Sequence, residues 1–249
     1  MRTRIKTPEE IIHMRQSGKI LAEILQILKK ATVAGITTAA IDAIAVAELD
    51  SRGAQAAFLG YQDFPASICI SVNDEIVHGI PSDKIIQEGD LVGLDFGVNY
   101  KGMITDSAIT VPVGKINKNA QRLLDYTQRA LDAGVGVLKD GVRVGDIGAA
   151  IEEQLILGDL KVIETLGGHG VGHVLNEEPY IANFGTKGTG DVLKAGMTIA
   201  LEPIASLGTH DTDLASDNWT YVTSDNSLSA QFEHTVLITQ DGAEILTQI

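Results

Sequence analysis

"GDLVGLD" (residues 89–95) and "GMTIALE" (residues 196–202) lie 107 positions apart, and each runs from a glycine through a strand-prone apolar stretch to a carboxylate. Two further pairs keep the same order. "AGITTAAIDAIAVAEL" (34–49) resembles "DGVRVGDIGAAIEEQL" (140–155), with Gly35, Ile41 and Leu49 matched by Gly141, Ile147 and Leu155 at an offset of 106. "HGIP" (78–81) matches "NEEP" (176–179), so His78 and Asn176 each stand three residues before a proline. Three matches in one order indicate a single domain over 1–249 built from two related halves, about 1–112 and 113–249. Equivalent strand ends would then meet across a pseudo-twofold axis, a natural place for a central site.

The element pattern agrees with an α+β chain in which helices, strands, helices and strands follow one another. Thr7-Pro8-Glu9-Glu10 reads as a helix start, with Thr7 as cap, Pro8 in the first turn and Glu10 closing a capping box. Ile11, Met14, Leu21, Ile24, Leu25 and Leu28 then recur at helical spacing. A second helix is expected over Thr38 to Asp50, and others over 118–138 and 145–156. Strand-like runs are "SICISV", "LVGLDF", "ITDSAITVPV", "MTIALEP" and "AQFEHTVLI". The matched strands at 89–95 and 196–202 both finish on a carboxylate in this reading.

Composition narrows the function. The chain has 249 residues, 44% of them hydrophobic, which suffices for a packed core. A formal charge of -14 with 19 Lys and Arg argues against direct nucleic-acid binding. Cys69 stands alone, which excludes an internal disulfide and a multi-cysteine zinc finger and fits the cytoplasm. "MRTRIKTPEEIIHMRQ" has no apolar run behind its charges suited to a signal peptide, and no segment reaches membrane-spanning length.

Four acids occupy strand-like, apolar surroundings: Asp95, Asp106, Glu202 and Glu233. Any one of them alone reads equally well as an outward-facing strand residue. Together they are harder to explain, since acids are seldom buried unpaired and the local basic residues are few. If they converge, their summed charge forces protonation unless cations are present, and two divalent ions would neutralise it. With one imidazole added, the set matches paired-metal hydrolases, whose two ions lie about 3.5–4 Å apart. Asp95 and Asp106, eleven apart, suit neighbouring antiparallel strands joined near "NYKG". "GGHGVGHVLNEEPY" (167–180) offers two imidazoles, His169 and His173, and the spacing leaves the choice between them open.

At this point the chain resembles the type I methionine aminopeptidases of the pita-bread fold. The resemblance rests on "HGIP", the Asp95–Asp106 spacing, "GGHGVG", "LEP" and "AQFEHT" in order, extended by "GYQDFPASICISVNDEIVHGIP" and "SLSAQFEHTVLIT". It implies a central antiparallel sheet covered by helices and removal of the initiator methionine from nascent chains. It also implies two divalent metal ions (Mn, Fe, Co, Zn or Ni), with Asp95 on one, His169 and Glu202 on the other, and Asp106 and Glu233 bridging. His173 is then left as a neighbouring packing residue. Glu202 would shuttle protons, and His78 would hydrogen-bond near the scissile amide. Tyr61, Phe64, Cys69 and Trp219 would form the methionine pocket, and small second residues would be favoured. The expected partners are nascent polypeptide N-termini, near the ribosome, with a monomeric enzyme in the cytoplasm and no membrane.

Asn176 departs from that pattern, since the family carries a histidine there, seven residues past the metal-binding one; Leu175 likewise replaces a commonly aromatic residue. An amide still donates a hydrogen bond to an oxyanion but cannot become cationic, which suggests slower turnover. The alternatives are a same-fold peptide-binding protein with weak or lost turnover, and a proline-directed peptidase. Asp95 arrives too early for the N-terminal domain that the proline-directed enzymes carry, and only 33 residues separate His169 from Glu202, without the insertion of type II methionine enzymes.

Overall fold

A computed structural model describes residues 2–248. The first half contains α1 (Pro8–Ala31), α2 (Thr38–Arg52), β1 (Gln55–Ala56), β2 (Cys69–Val72), β3 (Glu75–Val77), β4 (Leu91–Tyr100) and β5 (Met103–Pro112). The second contains α3 (Lys118–Gly136), α4 (Val144–Leu157), β6 (Lys161–Val162), β7 (Gly167–Gly170), β8 (Glu177–Ala182) and β9 (Thr198–Leu201). It continues with β10 (Ile204–Ser206), β11 (Thr212–Leu214), β12 (Tyr221–Thr223), β13 (Ser229–Gln231), β14 (His234–Ile238) and β15 (Ala243–Ile245).

Local chemistry explains the element ends. Glu10 N–H donates to Thr7 Oγ1 at 3.3 Å and Thr7 N–H donates back to Glu10 Oε2 at 2.7 Å, so the capping box forms as its residues require. The α1 face carrying Met14, Leu21, Ile24, Leu25 and Leu28 is buried. Helix α2 runs two residues past the expected Asp50, until Gly53 closes it in the left-handed conformation. Lys101 and Gly102, both at positive φ, turn β4 into β5 between the paired residues Tyr100 and Met103.

Each half lays two helices on its own antiparallel sheet. In the first, β4 carries β5 on one edge and β2 and β1 on the other, and Leu21, Ile24 and Ile41 pack on Leu94 and Phe96. In the second, the order is β15-β14-β9-β7-β8, and Leu123, Leu131 and Ile151 pack on Ile199 and Val236. The expected central sheet is thus two sheets stitched along β5. Glu233 N–H donates to the Ala108 carbonyl at 2.8 Å, while Ser107 Oγ and Thr110 Oγ1 donate to the carbonyls of Glu233 and Gln231. Thr235 Oγ1 accepts from Asp106 N–H and donates to the Asp106 carbonyl, each at 2.8 Å.

One expectation needs correction. Strand β9 does stop just before Glu202, where Pro203 offers no N–H to continue a ladder. Strand β4 does not finish at Asp95 but runs on to Tyr100, because Asp95 is paired on both sides, with Cys69 and Ala108. The two matched acids therefore reach the centre from a mid-strand position and from a strand end.

Candidate metal centre

The four acids, Asp95 and Asp106 within strands and Glu202 and Glu233 just beyond strand ends, converge where the sheets meet. Asp106, His169 and Glu233 each place a donor atom within 4.8 Å of the others. Glu202 Oε1 lies 3.6 Å from His169 Nε2, and Asp95 lines the same cleft. Asp95, Asp106 and Glu233 are 8%, 4% and 2% exposed, while His169 and Glu202 keep a small face open to the cleft. Register accounts for the convergence: Asp106 pairs with Gly97, two residues along β4 from Asp95, and side chains two apart share a sheet face. His169 pairs with Ala200, two residues before Glu202. That pairing depends on Gly168, where a Cβ would lie 2.3 Å from the Ala200 carbonyl oxygen.

The electrostatics of this set call for cations. Burial pushes the Asp95 carboxyl up to about 7, against a hydrogen bond from Gln231 that favours the charged form. Asp106, Glu202 and Glu233 are pushed well above the usual carboxylate range, first by burial and then by neighbouring carboxylates, Asp95 foremost for Asp106 and Glu202 and Asp106 foremost for Glu233. Asp95 Oδ1, Asp106 Oδ1 and Glu233 Oε1 have no hydrogen-bond partner among the described residues, and none of the four acids pairs with a lysine or arginine there. Burial also lowers the His169 pKa, and its Nδ1 donates to the Gly170 carbonyl at 3.0 Å. The ring is thus neutral with its Nε2 lone pair free, as a metal-binding imidazole requires. Unpartnered carboxylate oxygens beside such a nitrogen fit divalent cations.

All eleven site residues expected from the sequence line one cleft of about 450 Å³: Tyr61, Phe64, Cys69, His78, Asp95, Asp106, His169, Asn176, Glu202, Trp219 and Glu233. One end is aromatic. The Phe64 and Trp219 rings meet edge to face at 5.1 Å, Phe58 meets Phe64 at 6.5 Å, and the cleft holds five of the chain's eleven Phe, Tyr and Trp residues. Cys69 is buried beside Asp95, and burial with the nearby carboxylates holds its thiol protonated. His78 adopts φ 61°, and its ring stands edge to face with Tyr221 at 5.8 Å and Trp219 at 6.3 Å. Burial lowers its pKa, so it is a neutral donor and acceptor. Asn176 is exposed and also lines the cleft.

His173 points elsewhere, bonding Glu10 Oε1 through Nε2 at 2.8 Å. Phe58, Leu166 and Tyr180 line the cleft without having stood out in the sequence. Gln231 was also passed over: its Nε2 donates to Glu202 Oε2 at 3.2 Å. Its position two before Glu233, inside the "AQFEHT" stretch, is the signal that could have found it.

Comparison with known proteins agrees with this geometry. The model of metallopeptidase family M24 matches residues 12–240. A methionine aminopeptidase of Aquifex aeolicus is 43% identical over 259 residues, covering 100% of both chains. The crystal structure of methionine aminopeptidase from Thermotoga maritima superimposes with a TM-score of 0.98 at 41% identity, covering 99% of this chain and 100% of that one. The prolidase from Pyrococcus furiosus is more distant, with a TM-score of 0.78 at 25% identity, and the match covers 98% of this chain but 65% of that one.

Proposed function

The chain belongs to metallopeptidase family M24, and from that membership and its cleft we propose that it is a methionine aminopeptidase acting on the N-termini of new polypeptides. The observation that carries the reading is the junction of an aromatic, thiol-bearing recess with three buried carboxylates, the half-buried Glu202 and a neutral imidazole, where no lysine or arginine pairs with the acids among the described residues. We assign Asp95, Asp106, His169, Glu202 and Glu233 to two divalent ions, within one catalytic domain whose halves span about 1–112 and 113–249. Such ions supply Lewis acidity at the scissile carbonyl and acidify the attacking water.

The chain's own groups do the rest. Glu202, its orientation fixed by Gln231, takes a proton from the attacking water and gives it to the leaving amine. His78, neutral and held by its aromatic neighbours, hydrogen-bonds the scissile amide. Asn176 donates its side-chain N–H to the oxyanion. Tyr61, Phe64, Cys69 and Trp219 receive the methionine side chain, whose thioether gains from sulfur–aromatic contact. Substrates with small second residues, met as chains leave the ribosome in the cytoplasm, complete the reading. Among the described residues no helix is long and apolar enough to cross a membrane.

The test is hydrolysis of methionyl peptides by chelator-treated protein, scanned over Mn, Fe, Co, Zn and Ni and over the second residue. Release of free methionine in a metal-dependent manner is expected. Metal uptake and peptide binding without release would instead establish a binding protein, and cleavage confined to proline in the second position would establish a proline-directed peptidase.

A further inference from the structure

Outside the metal cluster, the most deeply buried ion pair is one the reaction above does not use. Lys6 Nζ lies 3.0 Å from Glu177 Oε2, with both side chains fully buried, and also donates to Thr3 Oγ1 at 3.0 Å. The other Glu177 oxygen, Oε1, accepts the backbone N–H of His173 at 2.7 Å and of Val174 at 3.4 Å. The carboxylate thus closes the turn that leads directly into Leu175 and Asn176 on the cleft wall.

The N-terminal segment holds this turn from two sides. Thr3 N–H donates to the Glu178 carbonyl at 2.6 Å and Lys6 N–H to the Gly196 carbonyl at 2.8 Å, which holds residue 3 against the start of β8 and residue 6 against the segment just before β9. The Lys6 stem crosses over Gly172, where a Cβ would lie 2.5 Å from Lys6 Cε. From the other side, Glu10 in the first turn of α1 bonds the His173 ring. A buried ion pair is a poor source of net stability, because the desolvation of both charges offsets their attraction. Its place beside a carboxylate that accepts two backbone N–H groups is better explained by geometry. The ammonium keeps that carboxylate ionised and in place.

We infer that Lys6 and Glu177 are positioning residues for the proposed peptidase reaction: the N-terminal arm straps the 173–176 turn so that Asn176 and Leu175 keep their places on the cleft wall. This rests on the peptidase reading, so the test separates the two. Three variants are compared: Lys6→Met, Glu177→Gln, and the two combined. Methionine matches the lysine stem and leaves Glu177 unpaired, while the amide introduced by Glu177→Gln has one acceptor oxygen for two claimants. In the double variant that oxygen serves His173 alone and no charge is stranded.

Assayed with manganese on a methionyl peptide, well below each unfolding temperature, the single variants lose about tenfold or more in kcat/KM, chiefly in kcat, given that a displacement of about 1 Å can cost roughly 10²-fold. The double variant recovers most of that loss, and manganese affinity stays within about twofold of wild type throughout. In the metal-free protein, amide exchange at His173 speeds up at least tenfold in Lys6→Met and returns toward wild type in the double variant. Folded single variants with wild-type kcat/KM, or unchanged exchange at His173, overturn the inference. If wild type releases no methionine, the peptidase reading falls, while the exchange comparison still decides whether Lys6 holds the turn. Should Lys6→Met not fold, Glu177→Gln against the double variant makes the same comparison.

Discussion

Replacing Asp95 by asparagine should stabilise the metal-free protein while weakening its metal response. In the fold, burial raises the Asp95 pKa from 3.8 to about 7. A carboxyl whose folded pKa lies above its unfolded value favours folding only while protonated. Its cost therefore starts near pH 4, grows as pH rises and is complete above about pH 7. The full cost is roughly 4 kcal/mol at about 1.36 kcal/mol per pH unit. The amide introduced by Asp95→Asn never ionises, keeps the Gln231 interaction through its carbonyl, and removes a charge that raises Asp106, Glu202 and Glu233 as well. For a chain of this size that difference corresponds to an unfolding temperature about 10 °C higher. The assay is thermal unfolding in excess chelator at pH 4.5 and pH 8, then at pH 8 with manganese. Asp95→Asn should melt within a few degrees of wild type at pH 4.5, where the cost is only about 1 kcal/mol, and about 10 °C higher at pH 8 in chelator. With manganese the order reverses, since wild type offers a full ligand set for two ions and the variant lacks a ligand for one of them. A variant melting at or below wild type at pH 8 in chelator would show that the acids are not under the burial stress described here.

Two other perturbations probe the cleft and the seam. Asn176→His should raise kcat for methionyl peptides by up to about tenfold, because an imidazole can carry positive charge opposite the oxyanion; an unchanged or lower kcat refutes this role for the position. Thr235→Val removes both seam bonds to Asp106 and leaves a buried N–H and carbonyl unpaired, which should lower stability by about 2–4 kcal/mol in denaturant titrations, and a change under about 0.5 kcal/mol would mean that water or a shift of β5 replaces the hydroxyl.

Much of this protein could be read from its residues in line. The α1 capping box, the Lys101-Gly102 turn and the apolar helix stripes depend on neighbours within a few positions, so periodicity and turn chemistry reveal them. The four acids stood out because carboxylates in strand-like apolar runs conflict with burial unless a cation resolves the conflict. What the tertiary structure alone decided involves partners far apart in the chain. The hydroxyl seam joins residues 129 positions apart and the Lys6–Glu177 strap joins residues 171 apart, and neither spacing leaves a local pattern. Asp95 lies mid-strand, not at a strand end, because β2 and β5 pair with it from both sides, and that follows from sheet assembly. Local preference sets which segments become helix or strand. Which charges become stranded together, and which hydroxyls and ammonium groups hold them in register, is settled only when the two sheets meet.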